Sequence, residues 1–152
     1  MKLSTKGRYG LRAMIDMARY SKEEPVSISS IAGRQNISEG YLEQIVALLK
    51  KAELVKSIRG ATGGYILSKE AKDISVGDVL RALEGSLEPV SCSGNDENPR
   101  CQASGECVTK LVWQRINESI NNAVDDMKLS ELVDESIEVN PSGDADLSVC
   151  KN

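Results

Sequence analysis

The sequence predicts a mainly α fold: a winged helix-turn-helix with a small β-hairpin wing and a long dimerisation helix. Three observations lead there. Two stretches with helical spacing of apolar residues, near 27–32 and 39–51, are joined by a tight turn at 33–36. Strand-like segments at 54–58 and 65–67 follow at once, flanking RGATGG, whose three glycines suit a turn. Farther on, residues 108–127 repeat an apolar residue every three or four positions. Composition agrees. Phe is absent and aromatics are 3% of the 152 residues, so aliphatic side chains must build the core, which favours helix packed on helix. The length suits one domain with a core, or a small domain plus an extension.

The first helix is expected over 8–20 (RYGLRAMIDMARY), where Leu11, Met14, Ile15 and Ala18 share a face; Pro25 stops it. Ser27 can cap a short helix through Ile31 and Ala32, and Gly33 to Asn36 read as a turn. Ser38 is a good N-cap for the next helix, with Glu39 favouring its positive end. Leu42, Ile45, Val46 and Leu49 form that helix's apolar stripe. Another helix is expected over 73–85, with Asp73 or Ser75 near its start and Gly85 after its end. Residues 88–105 are polar, rich in cysteine and glycine, and read as a loop. In the last helix Val108, Val112, Ile116, Ile120, Ala123 and Met127 form one seam roughly 30 Å long. A small winged domain cannot cover such a seam from one side, so burial against a second copy is its natural use. From Asn140 the composition is that of a mobile tail. The chain therefore divides into a winged helix domain (1–85), a cysteine loop (86–107), a dimerisation helix (108–128) and a C-terminal segment with a flexible tail (129–152).

The formal charge of −4 conceals a split. Residues 1–80 hold 13 Lys and Arg against 9 Asp and Glu, whereas residues 81–152 hold 6 against 14. A basic N-terminal half suits an anionic polymer, and the acidic half would be repelled by one. No apolar run approaches the ~20 residues a bilayer requires, and the N-terminus lacks the apolar core of a signal peptide. A cytoplasmic protein with no membrane contact is expected, where four cysteines do not read as a disulfide framework.

Projected at helical spacing, Gly40, Glu43, Gln44, Ala47 and Lys51 lie opposite the stripe of the 39–51 helix, with Ser38 and Tyr41 at its N-terminal edge. Double-stranded DNA is the partner this face suits. Gln44 can pair bidentately with adenine, Glu43 can accept from cytosine, and small Gly40 and Ala47 permit close approach to a major groove. Arg59 opens the hairpin loop and suits a narrow minor groove. Lys2, Lys6, Arg8 and Arg12 are candidate phosphate contacts.

The second constellation is CSGNDENPRCQASGEC. Cys92, Cys101 and Cys107 are separated by eight and five residues, and the chain contains no histidine. Zinc sites usually show tight cysteine pairs and four N or S ligands. A thiol switch needs only two cysteines. Iron–sulfur clusters take thiolates at varied spacings, and a polar, glycine-rich loop can wrap one. From spacing alone, cluster, switch, zinc and unremarkable cysteines all stay open. Thiolates without a histidine partner argue against a cysteine-nucleophile enzyme, and no other catalytic constellation is visible.

These pieces in this order resemble the iron–sulfur cluster regulator (IscR) family of winged helix transcription factors. MKLSTKGRYGLRAMIDMA is similar to that family's first helix. ISEGYLEQIVALLKKAELVKSIRGATGGYILSKEAKDISVGDVLRALEG is similar to its recognition helix, wing and following helix, with YLEQ and RG-x-x-GGY the most specific parts. The resemblance spans roughly residues 1–135. It implies a homodimer on a DNA operator, with Ser38, Gly40, Tyr41, Gln44 and Arg59 at DNA-contact positions. It also implies Cys92, Cys101 and Cys107 as ligands of a [2Fe–2S] cluster, with cluster-assembly machinery as donor and cluster-biogenesis genes as targets. A [4Fe–4S] nitric-oxide-sensing repressor is the alternative in this class. A zinc- or thiol-stabilised structural protein with no DNA role is the alternative outside it. Lys110 stands where the best-known cluster regulators have histidine, and Arg8 where some relatives have an acidic residue. An oxygen donor is therefore expected as fourth ligand, from water or a carboxylate such as Asp96, Glu97 or Glu106, rather than Cys150.

Overall fold

Serine side chains start four helices. Ser4 accepts from the Gly7 N–H at 3.2 Å and opens α1 (Thr5–Tyr20). Ser27 does the same for α2 (Ile28–Gln35) and Ser38 for α3 (Glu39–Lys51). Ser75 opens α4 (Val76–Glu84) in a reciprocal pair with Asp78 at 3.0 and 2.9 Å, which satisfies two N–H groups the helix end leaves over. The computed structural model describes residues 2–93 and 106–143. Between α3 and α4 lie β1 (Val55–Ile58), β2 (Gly64–Leu67) and a single 3₁₀ turn, Ala71–Asp73. After the cysteine segment come α5 (Thr109–Asp126) and α6 (Leu129–Val139).

The strands form an antiparallel hairpin in which Val55 faces Leu67 and Ile58 faces Gly64. Two glycines make it possible. Gly60 sits at φ +123°, which side chains rarely tolerate. Gly64 lies so close to the Val26 backbone that a Cβ would be 2.6 Å from the Val26 carbonyl oxygen. That approach lets Val26 and Tyr65 exchange two backbone hydrogen bonds at 2.8 and 2.9 Å, fastening the wing to the segment before α2. The mainly helical winged architecture predicted from sequence is the one observed.

The core gathers Met14 and Met17 of α1, Ile31 of α2, Leu42, Ile45, Val46 and Leu49 of α3, Val55 of β1, and Val79 and Leu83 of α4. Three differences from the sequence reading stand out. First, α1 begins at Thr5, because Ser4 both caps it and binds Glu84 Oε1 through its N–H (3.0 Å) and hydroxyl (2.5 Å). Second, Leu11 and Ile15 are only half-buried whereas Asp16 is fully covered. Third, residues 129–139 form a helix of their own. The apolar seam suggests a helix through 128, but Met127 and Lys128 are extended and cross α4's start as a short bridge. Val76 N–H donates to the Met127 carbonyl and Leu129 N–H to that of Ile74, both at 3.0 Å. This inserts Leu129 and Val133 of α6 into the protein interior.

Candidate nucleic-acid interface and cysteine site

The two faces of α3 separate cleanly. Leu42, Ile45, Val46 and Leu49 are buried, while Gly40, Glu43, Gln44, Ala47 and Lys51 are exposed, as helical projection requires. Ser38 is exposed, with its Oγ accepting from the Tyr41 N–H at 3.3 Å. Gly40 has no atom within 4 Å of where a Cβ would stand. Nothing inside the chain thus demands glycine there, although glycine within a helix costs about 1 kcal/mol relative to alanine.

Tyr41 is half-buried, and its ring meets that of Tyr9 edge-on at 6.2 Å between centroids. Tyr9 was not among the residues the sequence singled out. Its place two positions before Leu11 in GRYGLR is the one available hint. Arg59 is exposed at the first position of the wing loop. Two residues before Arg59, on β1, Ser57 accepts through its Oγ from Lys50 of α3 at 3.1 Å, tying helix to wing.

Lys2 and Arg8 are exposed. Arg12, another candidate phosphate contact, is half-buried and engaged within the chain. Its Nε and Nη2 donate to the side-chain and backbone oxygens of Gln35, both at 3.1 Å, and its guanidinium lies 5.1 Å over the Tyr9 ring.

Two of the three clustered cysteines fall within the described residues. Cys92 is half-buried and reduced, next to Ser93, whose hydroxyl donates to the Val90 carbonyl at 2.6 Å. Cys107 is reduced and precedes α5, with Sγ 3.1 Å from Thr109 Oγ1. The Thr109 hydroxyl, then the Lys110 backbone N–H, hold the Cys107 thiol below its ordinary pKa. Both groups belong to the positive end of a helix, a setting that favours thiolate. Thr109 is thus a site residue that spacing between cysteines could not reveal. Cys101, Cys150, Asp96 and Glu97 lie outside the described residues, and Glu106 is exposed.

Helix α5 itself buries none of its residues in this chain. Val112, Arg115, Ile116, Ser119, Ile120 and Ala123 line a shallow trough along it. Its C-terminal half is nevertheless held. Arg81 of α4 donates a two-pronged bond to Asp125 at 2.7 and 2.8 Å and a further one to Asn121 at 2.7 Å. Ile120 and Val124 pack on a small cluster of Val76, Leu80 and Leu87. Among the described residues no helix is long and apolar enough to cross a membrane.

Comparison with known proteins places this arrangement. The Rrf2 family model, described as an iron-dependent transcriptional regulator, matches residues 3–135. The transcriptional regulator IscR of Vibrio atlanticus (strain LGP32) is 41% identical over 151 residues, covering 98% of this chain and 86% of that protein. Among solved structures, IscR of T. potens is 46% identical with a TM-score of 0.73, covering 92% of this chain and 91% of that one. CymR, the global cysteine regulator of B. subtilis, is 44% identical with the same TM-score, covering 89% and 98%.

Proposed function

Because the chain belongs to the Rrf2 family of iron-dependent transcriptional regulators, and so is a DNA-binding regulator rather than an enzyme, we propose that it senses iron–sulfur supply as a homodimer on operator DNA. In this reading Cys92, Cys101 and Cys107 hold a [2Fe–2S] cluster, loaded by the cluster-assembly machinery, and genes for cluster biogenesis are the targets. Ser38, Gly40, Tyr41 and Gln44 meet the major groove, and Arg59 the minor groove. Residues 108–128 join the two subunits, residues 1–85 bind DNA, and the protein works in the cytoplasm.

The observation that carries the reading is the cluster of Cys92, Cys101 and Cys107 in a chain whose residues 3–135 match a family of iron-dependent regulators. Clusters take thiolates, and Cys107 stands at the positive start of a helix, a setting that suits one. The donor chemistry of three cysteines therefore fits the group. A bound cluster would supply iron–thiolate chemistry that is sensitive to iron and sulfide supply. The chain's own contribution is to keep Cys107 acidic through Thr109 and Lys110, and to join its helix to α4 through the Arg81 fork.

The similarity to CymR and the same acidic thiol favour a second reading, a regulator that responds through its thiols without a cluster. Iron and sulfide analysis of anaerobically purified protein, with its visible and EPR spectra, separates the two. The cluster reading expects two irons and two sulfides per subunit, as a [2Fe–2S] cluster contains by definition. Cys92→Ala, Cys101→Ala or Cys107→Ala should each abolish the spectrum, and Cys150→Ala should leave it unchanged. Protein free of iron after anaerobic preparation and attempted reconstitution sinks the cluster reading and leaves the thiol one.

A further inference from the structure

We infer that Asp16, with Gln35 and Arg12, is a positioning device for the DNA-reading helix, acting through Tyr9 on Tyr41. The inference rests on the operator-binding reading above and deepens it. Asp16 is a carboxylate with 1% of its side chain exposed, in the middle of α1. Arg34 of α2 grips it with Nε at 2.9 Å and Nη2 at 2.7 Å, and Gln35 Nε2 donates to it at 2.8 Å. Gln35 then accepts from Arg12 on α1, whose guanidinium lies over Tyr9, whose ring abuts Tyr41 in the first turn of α3.

The physical argument turns on what apolar packing cannot do. Ile31 and Ala32 hold α2 to the core but are the only residues of that eight-residue helix that are buried. Such a contact tolerates small rotations. A guanidinium fork on a carboxylate does not, because both bonds require one plane and one direction. A buried ion pair is weak evidence for stability and can be replaced by apolar residues at little cost. Its geometric restriction is what an apolar replacement would lose. The restriction reaches α3 by two routes. One is the tight turn at Asn36, in left-handed conformation at φ 52°. The other is the Arg12–Tyr9–Tyr41 stack, which touches the start of the reading helix directly.

The test uses the full-length dimer and a duplex selected by the wild-type chain from a randomised library, with a scrambled duplex of the same composition as control. Asp16→Asn should keep the helical circular-dichroism spectrum. It should lower the selected-to-scrambled affinity ratio about tenfold, the scale of one misplaced base contact. Arg12→Lys provides a variant at a half-buried position, where folding is safer. A phosphate-contact role would survive this change, since lysine keeps the charge. A positioning role would not, because lysine lacks the fork and the flat face over Tyr9. Arg12→Lys should therefore also reduce the ratio while leaving the salt dependence of binding unchanged. If the wild-type chain selects no sequence, the operator reading fails and the inference with it. If it does select one, and Arg12→Lys leaves the ratio intact, the positioning role alone is overturned.

Discussion

Helices α3 and α5 carry the same kind of sequence pattern and meet opposite fates. Each repeats aliphatic residues at steps of three and four. In α3 the stripe is sealed: Leu42, Ile45 and Leu49 expose nothing, and Val46 exposes 1%. In the first half of α5 the seam is open: Val112 exposes 51% and Ile116 39%, and Val108 just before the helix 77%. Helix α5 has no fully buried position, and what holds it to this chain is confined to its C-terminal half, where Ile120 and Val124 pack on α4 and Arg81 grips Asp125. The contrast separates two jobs. The α3 stripe builds the domain, and its outer face is left exposed and free to be polar. The α5 seam is uncovered surface of the kind that marks an interaction site.

Mutations on the two seams should differ in kind. Leu42→Ala removes fully buried volume and should lower unfolding free energy by about 2–5 kcal/mol, measured by urea titration. On α5, Val112→Asp with Ile116→Asp should leave a folded but monomeric chain, because the charges fall where a partner helix would bury them. A dimer persisting in sedimentation would move the interface off this seam. Ile120 is a poorer probe, since it also packs on Leu80 and Leu87 within the chain.

The outer face of α3 gives the next effect. Gln44→Ala should cost about 1–3 kcal/mol on the cognate duplex and far less on random DNA, read by fluorescence anisotropy. An equal loss on both would remove Gln44 from base reading.

The smallest effect comes from the fork that pins α5 to α4. Arg81 donates to Asp125 and holds its carboxyl below the ordinary range. A carboxylate with a lowered folded-state pKa stabilises the fold at pH values above its unfolded value, about 3.9. That contribution disappears as pH falls through the lowered folded value. Asp125 is half-exposed, so the amount is at most about 1 kcal/mol. Asp125→Asn should therefore flatten the acid limb of a stability–pH curve slightly, and an unchanged curve would show that the fork is fully screened.

Much of the fold was legible because it is locally determined. Ser27, Ser38 and Ser75 cap helices through bonds to residues three positions on, and the Gly60 turn and the α3 stripe are set by neighbours within one or two turns of chain. The exposure of the outer face of α3 followed from the same periodicity. Other features needed the tertiary structure. Nothing in RAMIDMARY marks Asp16 as buried, and it is buried because Arg34 and Gln35, 18 and 19 residues away, supply three donors to it. That Arg12 is engaged by Gln35 is equally absent from the local pattern. The seam reads as one helix and is one, over Thr109–Asp126, but the backbone pairing of Met127 and Leu129 with Val76 and Ile74 that ends it and folds α6 into the core leaves no mark in the seam. A capping bond or a helical stripe spans a few residues and survives as pattern. A buried charge or a docked helix depends on partners distant in the chain, so only the folded arrangement decides it.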